Sequence, residues 1–211
     1  MKFARVIAGI FAAIGLVLML GTVGISLYGL NHPTLAVEIP QEAADCSEQL
    51  AQALSGGDLA AAAQLLDGQP ALGVESVPSD PMAARFWDAF RESMSCQLSG
   101  ECYVLDGGFA RDAVITALDV EAMTRDFQTR SHDLMNQRVE AATEMAELYD
   151  ENNNFRQDLI DQVLEQACQE ALDQAQTTRT WNSTWRLVCR EDQWWVIPDE
   201  ELLSAFSAGL A

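Results

Sequence analysis

The chain has 211 residues, 12 of them basic and 32 acidic, for a formal net charge of −20. Its hydrophobic share of 49% is too high for a disordered acidic chain. The charge argues against a nucleic-acid partner, which needs a basic face to displace counterions. Two histidines and five scattered cysteines leave little material for a transition-metal site.

The average conceals a division. Residues 1–30 hold two bases, Lys2 and Arg5, and no acid, so the remainder carries 10 bases against 32 acids, a net of −22. From Val6 to Leu30 run 25 uncharged, mostly apolar residues. As an α-helix rising about 1.5 Å per residue, this span exceeds the roughly 30 Å hydrocarbon core of a bilayer. The pattern predicts a cytoplasmic tail (1–5) and a transmembrane helix (6–30) whose partner is the lipid bilayer. The positive-inside rule then places everything after Leu30 outside the cytoplasm, in a cell-membrane protein of single-pass type. A cleaved signal peptide would have an apolar region of only about 7–15 residues and a small-x-small site. Thr34-Leu35-Ala36, after Pro33, is a poor one. Cys46 has no leucine three residues before it and is a poor lipoprotein cysteine.

Residues 31–41 carry two prolines and no helical periodicity, and read as a stalk. Residues 42–211 are enough for one domain with a real core. Cys46, Leu50 and Leu54 share one helical stripe, and Gly56-Gly57 ends that helix. Asp58 caps a short helix from Leu59 to Leu66. Ser79-Asp80-Pro81 opens a third helix that buries Phe86, Trp87, Phe90 and Met94. A strand follows over 95–105, a turn at Asp106-Gly107-Gly108, and a second strand over 110–120. Met123 to Leu148 gives one long amphipathic helix, Asp150 to Asn154 a turn, and Phe155 to Leu172 another helix. Residues 178–190 form a strand with Trp181, Ser183, Trp185, Leu187 and Cys189 on one face and Arg186 and Arg190 on the other. Glu191-Asp192 is a turn, 193–198 the last strand, and 199–209 a closing helix.

Two segments carry a resemblance to a known family. AQALSGGDLAAAAQLL (51–66) is similar to the opening helix, Gly-Asp break and second helix of the nuclear-transport-factor-two-like, or SnoaL-like, superfamily. STWRLVCREDQWWVIPDEELLSAF (183–206) resembles its closing hairpin of strand, acidic turn and Trp-x-Ile followed by Asp. The form it looks like is the one found on bacterial membrane-anchored proteins and lipoproteins. The resemblance implies an α+β fold in which helices pack on a curved antiparallel sheet as a cone with an apolar cup. A helical hairpin over 121–176 departs from the short members as an insertion. Some members are isomerases or hydratases acting in the cup, and others are binding or assembly modules.

Acid–base work in such a cup needs a carboxyl with a shifted pKa and a hydrogen-bonding partner. Among three tyrosines and two histidines, Tyr103 is the sole tyrosine placed for the cup; its competing role is an amphipathic ring in a half-buried strand. Strand alternation sets Trp185 and Trp195 toward the cup as a ligand-stacking pair, with Trp194 on the opposite face. Core packing is the alternative use of these rings. Asp150-x-Asn152-x-Asn154 starts like a calcium loop, but position 6 is Phe155 and position 12 is Asp161 instead of glycine and glutamate. No catalytic residue, metal or cofactor is expected. Cys96 with Cys102, and Cys168 with Cys189, are open as disulfides, and five buried thiols are the alternative. The expectation is a non-catalytic binding or scaffolding module on a membrane anchor, with a homo-oligomer or a membrane protein as partner. The alternatives are an assembly component of a membrane secretion or transport complex, and a small isomerase- or hydratase-type enzyme.

Overall fold

The computed structural model describes residues 38–70, 72 and 78–208. The expected tail and membrane span, and the stalk up to residue 37, lie outside the described residues. Within them, no helix is long and apolar enough to cross a membrane. In chain order the elements are α1 (Gln41–Ser55), α2 (Leu59–Ala63), α3 (Pro81–Ser93), β1 (Ser95–Leu105), β2 (Gly108–Leu118), α4 (Val120–Ala141), α5 (Gln157–Asp173), β3 (Thr178–Arg190), β4 (Gln193–Ile197) and α6 (Glu200–Phe206). The class is α+β, as expected.

Aspartates start four of the helices. Asp58, Asp80, Asp119 and Asp199 each accept a hydrogen bond from a backbone amide in the first turn they precede, which satisfies donors the helix itself leaves unpaired. Between α1 and α2, Gly57 takes φ +65°. A Cβ there would stand 2.6 Å from the Arg91 carbonyl oxygen, so the close crossing of α3 requires glycine.

The sheet is an antiparallel meander in the order β1-β2-β3-β4. Both hairpin turns have two residues with positive φ: Asp106 (51°) and Gly107 (80°), then Glu191 (52°) and Asp192 (62°). Left-handed pairs of this kind match the twist of the flanking strands. Gly108, expected in the first turn, instead pairs with Leu105, so β2 begins two residues before 110.

One face of the sheet bears Ala113, Ile115 and Ala117 from β2 and Trp181, Ser183, Trp185 and Leu187 from β3, all buried. The cross-strand pairs Ile115–Trp181 and Ala113–Ser183 put them on the same side. α1 crosses this inner face and touches all four strands, seating Ala43, Cys46, Leu50 and Leu54 in the core. Phe90 and Met94 of the α3 region and Leu202 and Phe206 of α6 complete it. The opposite face carries Val114, Thr116, Thr180, Asn182, Trp195 and Ile197, none of them buried. The three helices with extensive contact to the sheet, α1, α3 and α6, bury their apolar faces on the inner side.

α4 and α5 pack on one another as the expected helical hairpin. Its base is tied to α3 by Phe86 edge-on to Phe127 (centroids 5.6 Å apart) and by Arg85 donating to Glu165 (2.8 Å) and Gln169 (2.6 Å). The long helix does not run to Leu148. It stops at Ala141 because the amide and hydroxyl of Thr143 donate to the Glu147 carboxylate instead of continuing the helical ladder. A 3₁₀ turn, Met145–Glu147, follows. Phe155 starts no helical stripe either; it stacks on Tyr149 at 4.7 Å, and α5 begins two residues later.

Candidate functional site

Large side chains occupy the inner face, where a cup would open. Trp185 is fully buried, with Trp181, Phe90, Phe206, Leu50 and Leu54 around the same core. Arg111, Ser47 and Ser183 on this side are bonded internally. Arg111 sits on the inward parity of β2, opposite Trp185. Its Nη1 donates to Ser47 Oγ (3.1 Å) and approaches the Glu48 carboxylate (3.4 Å), and its Nε donates to the Gly100 carbonyl (3.3 Å). Ser47 in turn donates to the Ala44 carbonyl, and Ser183 donates to Asp199. The Trp185 Nε1–H is buried without a partner.

Tyr103 does not face this interior. Register shifts between Ser99 and Tyr103, where a bulge sets Gly100, Glu101 and Cys102 against Arg111 alone. After the bulge Tyr103 pairs with Ala110 and emerges on the face opposite α1, α3 and α6. There its hydroxyl donates to Asp112 Oδ1 (2.9 Å), and Thr184 Oγ1 donates to the same oxygen (2.7 Å). The hydrogen bond to the Asp112 carboxylate, with a little desolvation, raises the Tyr103 pKa above the ordinary tyrosine value. The three residues form a polar staple across β1, β2 and β3.

Trp185 and Trp195 do not share a face. The two-residue turn pairs Arg190 with Gln193, so Cys189 stands opposite Trp194 and Val188 opposite Trp195. Odd positions of β3 therefore match even positions of β4, and the parity carried along the sequence reverses. Trp194 lies inward, edge-on to Phe109 at 5.8 Å, while Trp195 shares the outer face with Ile197.

All five cysteines are free thiols. Cys96 and Cys102 both lie in β1, the former packed against the core and the latter buried within it. Cys168 packs with Phe86 at the base of the helical hairpin, and Cys189 is exposed near the end of β3. The Asp150 carboxylate is used within its own loop, accepting from the Asn152 (2.8 Å) and Asn154 (2.9 Å) amides. Those bonds, the Asn154 amide first, hold its pKa below the ordinary range. Arg111, Asp112, Thr184 and Asp199 are the connecting residues that sequence reading missed. An arginine on the same parity as Ala113, Ile115 and Ala117 was the available signal for the first.

No protein-family model matches the chain, and no curated protein does. Among solved structures, a Bacillus subtilis subsp. subtilis str. 168 protein described as a lipoprotein (ycdA) is similar over 62% of this chain and 38% of its own, at 12% identity and a TM-score of 0.35. The match thus spans well under half the length of that protein.

Proposed function

We propose that the chain is a single-pass membrane protein whose extracytoplasmic domain, of nuclear-transport-factor-two-like type, is a non-catalytic binding or scaffolding module. The observation that carries the reading is the fully buried Trp185 in the space a cup would occupy. A domain whose interior is closed by indole and leucine side chains works through its surface. The order of three helices, hairpin, helical insertion and a hairpin closed by Asp199 and α6 supports the family likeness. The apolar run 6–30 supports the anchor.

Two measurements test this. The full chain should stay in membranes after alkaline carbonate washing, and a shortened, freely released product would overturn the anchor. Titrating the detergent-solubilised chain with an apolar fluorescent dye should leave tryptophan emission unquenched beyond a free-tryptophan control. Saturable quenching that a Trp185→Phe change removes would instead favour a cup that takes small molecules.

The assembly reading draws support from the α4–α5 hairpin. Its outer end exposes Val139 (41%), Met145 (69%) and Phe155 (38%), three large apolar side chains within 17 residues of sequence. Replacing Val139 and Met145 with serine, and leaving Phe155 stacked on Tyr149, should release any crosslinked membrane partner without lowering the melting temperature. An unchanged crosslinking pattern would overturn this reading.

A further inference from the structure

Five large hydrophobic side chains stand exposed among the described residues, and three of them, Val139, Met145 and Phe155, belong to the outer end of the α4–α5 hairpin. Single exposed apolar residues need no explanation, whereas a group of them at one end of an arm marks an interaction site. The 22 residues of α4 carry that end about 30 Å along the helix from Val120, two residues after β2 stops. The end is built, with its own bonds. Leu148 is buried, Phe155 stacks on Tyr149, and the Leu148 carbonyl accepts the Arg156 amide at 2.9 Å. The Met145 carbonyl accepts the Tyr149 amide at 2.9 Å, and the Asn154 carbonyl accepts the Asp150 amide at 2.8 Å. A backbone fixed in this way displays Met145, the most exposed of the three, with little ordering left to do on binding.

Charge selects what can cover it. Residues 138–170 hold nine acids against two bases, Arg138 and Arg156, a net of −7. Arg156 is already bound to Asp158 at 2.7 Å. Glu140, Glu144 and Glu151, close in sequence to the apolar side chains, have no basic partner among the described residues. A second copy of the same end would set carboxylates against carboxylates, and an anionic bilayer surface would repel it. The complement of this surface is apolar and positively charged at once.

We infer that the outer end of the α4–α5 hairpin docks a positively charged amphipathic segment of a partner protein. Apolar side chains of that segment cover Val139, Met145 and Phe155, and its lysines or arginines meet Glu140, Glu144 and Glu151. The inference deepens the assembly reading and rests on it. Amphipathic helices are held by apolar anchors at i, i+3, i+4 and i+7. Charges beside such anchors speed the encounter and reject partners of the wrong sign.

The test is binding of a synthetic peptide made only of leucine and lysine, its leucines at helical spacing, to the full chain in phosphatidylcholine nanodiscs, with empty discs as the blank. The wild-type chain should bind it saturably, and a peptide of the same composition with scattered leucines should bind about tenfold more weakly. Val139→Ser combined with Met145→Ser should weaken binding about tenfold or more. Glu140→Gln, Glu144→Gln and Glu151→Gln together should weaken it about as much, and they keep the test open if the serine pair fails to fold. Neutralising Glu38, Glu101 and Glu201, three exposed acids elsewhere, should change it by less than about twofold. No saturable binding, or losses at the hairpin end no larger than in that control, overturns the inference. Flotation of chain-bearing discs with phosphatidylserine vesicles would point to a lipid surface and overturn it too. Crosslinks lost in the serine variant without any loss of peptide binding would overturn this inference alone. Peptide binding at the hairpin end with unchanged crosslinks would overturn the assembly reading while the chemistry of the site stands.

Discussion

The hydroxyl of Ser183 and one carboxylate oxygen of Asp199 lie 2.8 Å apart, joining the middle of β3 to the start of α6. The same oxygen caps α6 through the Leu202 amide (2.8 Å), and the other accepts the Thr184 amide (2.9 Å). β4 pairs with β3 only as far as Arg186, so beyond it the carboxylate takes the place of a neighbouring strand. Asp199→Ala should cost about 2–4 kcal/mol, since it removes a cap and leaves Ser183, buried at 2% exposure, without its acceptor. Asp80→Ala, which removes an exposed cap alone, should cost about 1 kcal/mol. Urea unfolding of the two variants checks the order, and equal losses would contradict it.

Two buried tryptophans on one face of β3 should respond differently to the same change. Trp181 Nε1–H donates to Ser204 Oγ at 3.2 Å, and the Arg179 guanidinium lies 5.5 Å from its ring centroid. Trp185 Nε1–H has no partner. Phenylalanine at either site loses indole packing, but at 181 it also breaks a hydrogen bond, whereas at 185 it removes an unsatisfied donor. Trp181→Phe should therefore be the more destabilising by about 1 kcal/mol. Unfolding midpoints in urea decide this, and the reverse ranking would show that volume outweighs the donor.

The caps Asp58 and Asp80 and the order of elements were legible in the sequence because they are local. An aspartate before a helix, a glycine after one and a two-residue acidic turn act within four residues of themselves. The inward stripe of β3 was legible for the same reason, since alternation along one strand needs no partner. Which tryptophan of β4 faces inward depends on the pairing of Arg190 with Gln193, a relation between strands. Tyr103 was misplaced because the inward face of β1 is set by its pairing with β2: Ser99 and Tyr103 share one parity and stand opposite Asp112 and Ala110, on the outer face. The early end of α4 rests on the contact between Thr143 and Glu147, which competes with helix propensity that the apolar spacing alone cannot weigh.

β1 is an edge strand, and its first outward-facing amide is covered by a side chain. The Cys96 amide donates to Ser55 Oγ at 3.0 Å, and the Ser55 hydroxyl donates back to the Cys96 carbonyl at 3.3 Å. Further along, the bulge twists the edge away from a partner strand. Ser55→Ala should cost about 1 kcal/mol and bare both backbone groups. Heated just below its transition, the variant should aggregate faster than wild type, whereas Ser55→Thr should not. Identical aggregation of Ala and Thr variants would remove the protective role from the hydroxyl.

The five thiols should separate by reactivity. Burial pushes the Cys46 thiol up to about 11 and Cys96 up to about 12, and desolvation raises Cys168 as well. Only the thiolate attacks a disulfide reagent, so at pH 8 about one Cys46 in a thousand is reactive even where the reagent can reach it. Cys189 is exposed, and it should give the single fast phase with an aromatic disulfide reagent. Cys189→Ser should abolish that phase, and the remaining thiols should react only at the rate of unfolding, rising in urea. Fast labelling of Cys46 or Cys96 in the native protein would mean that α1 opens from the sheet far more readily than its fully buried Leu50 and Leu54 allow.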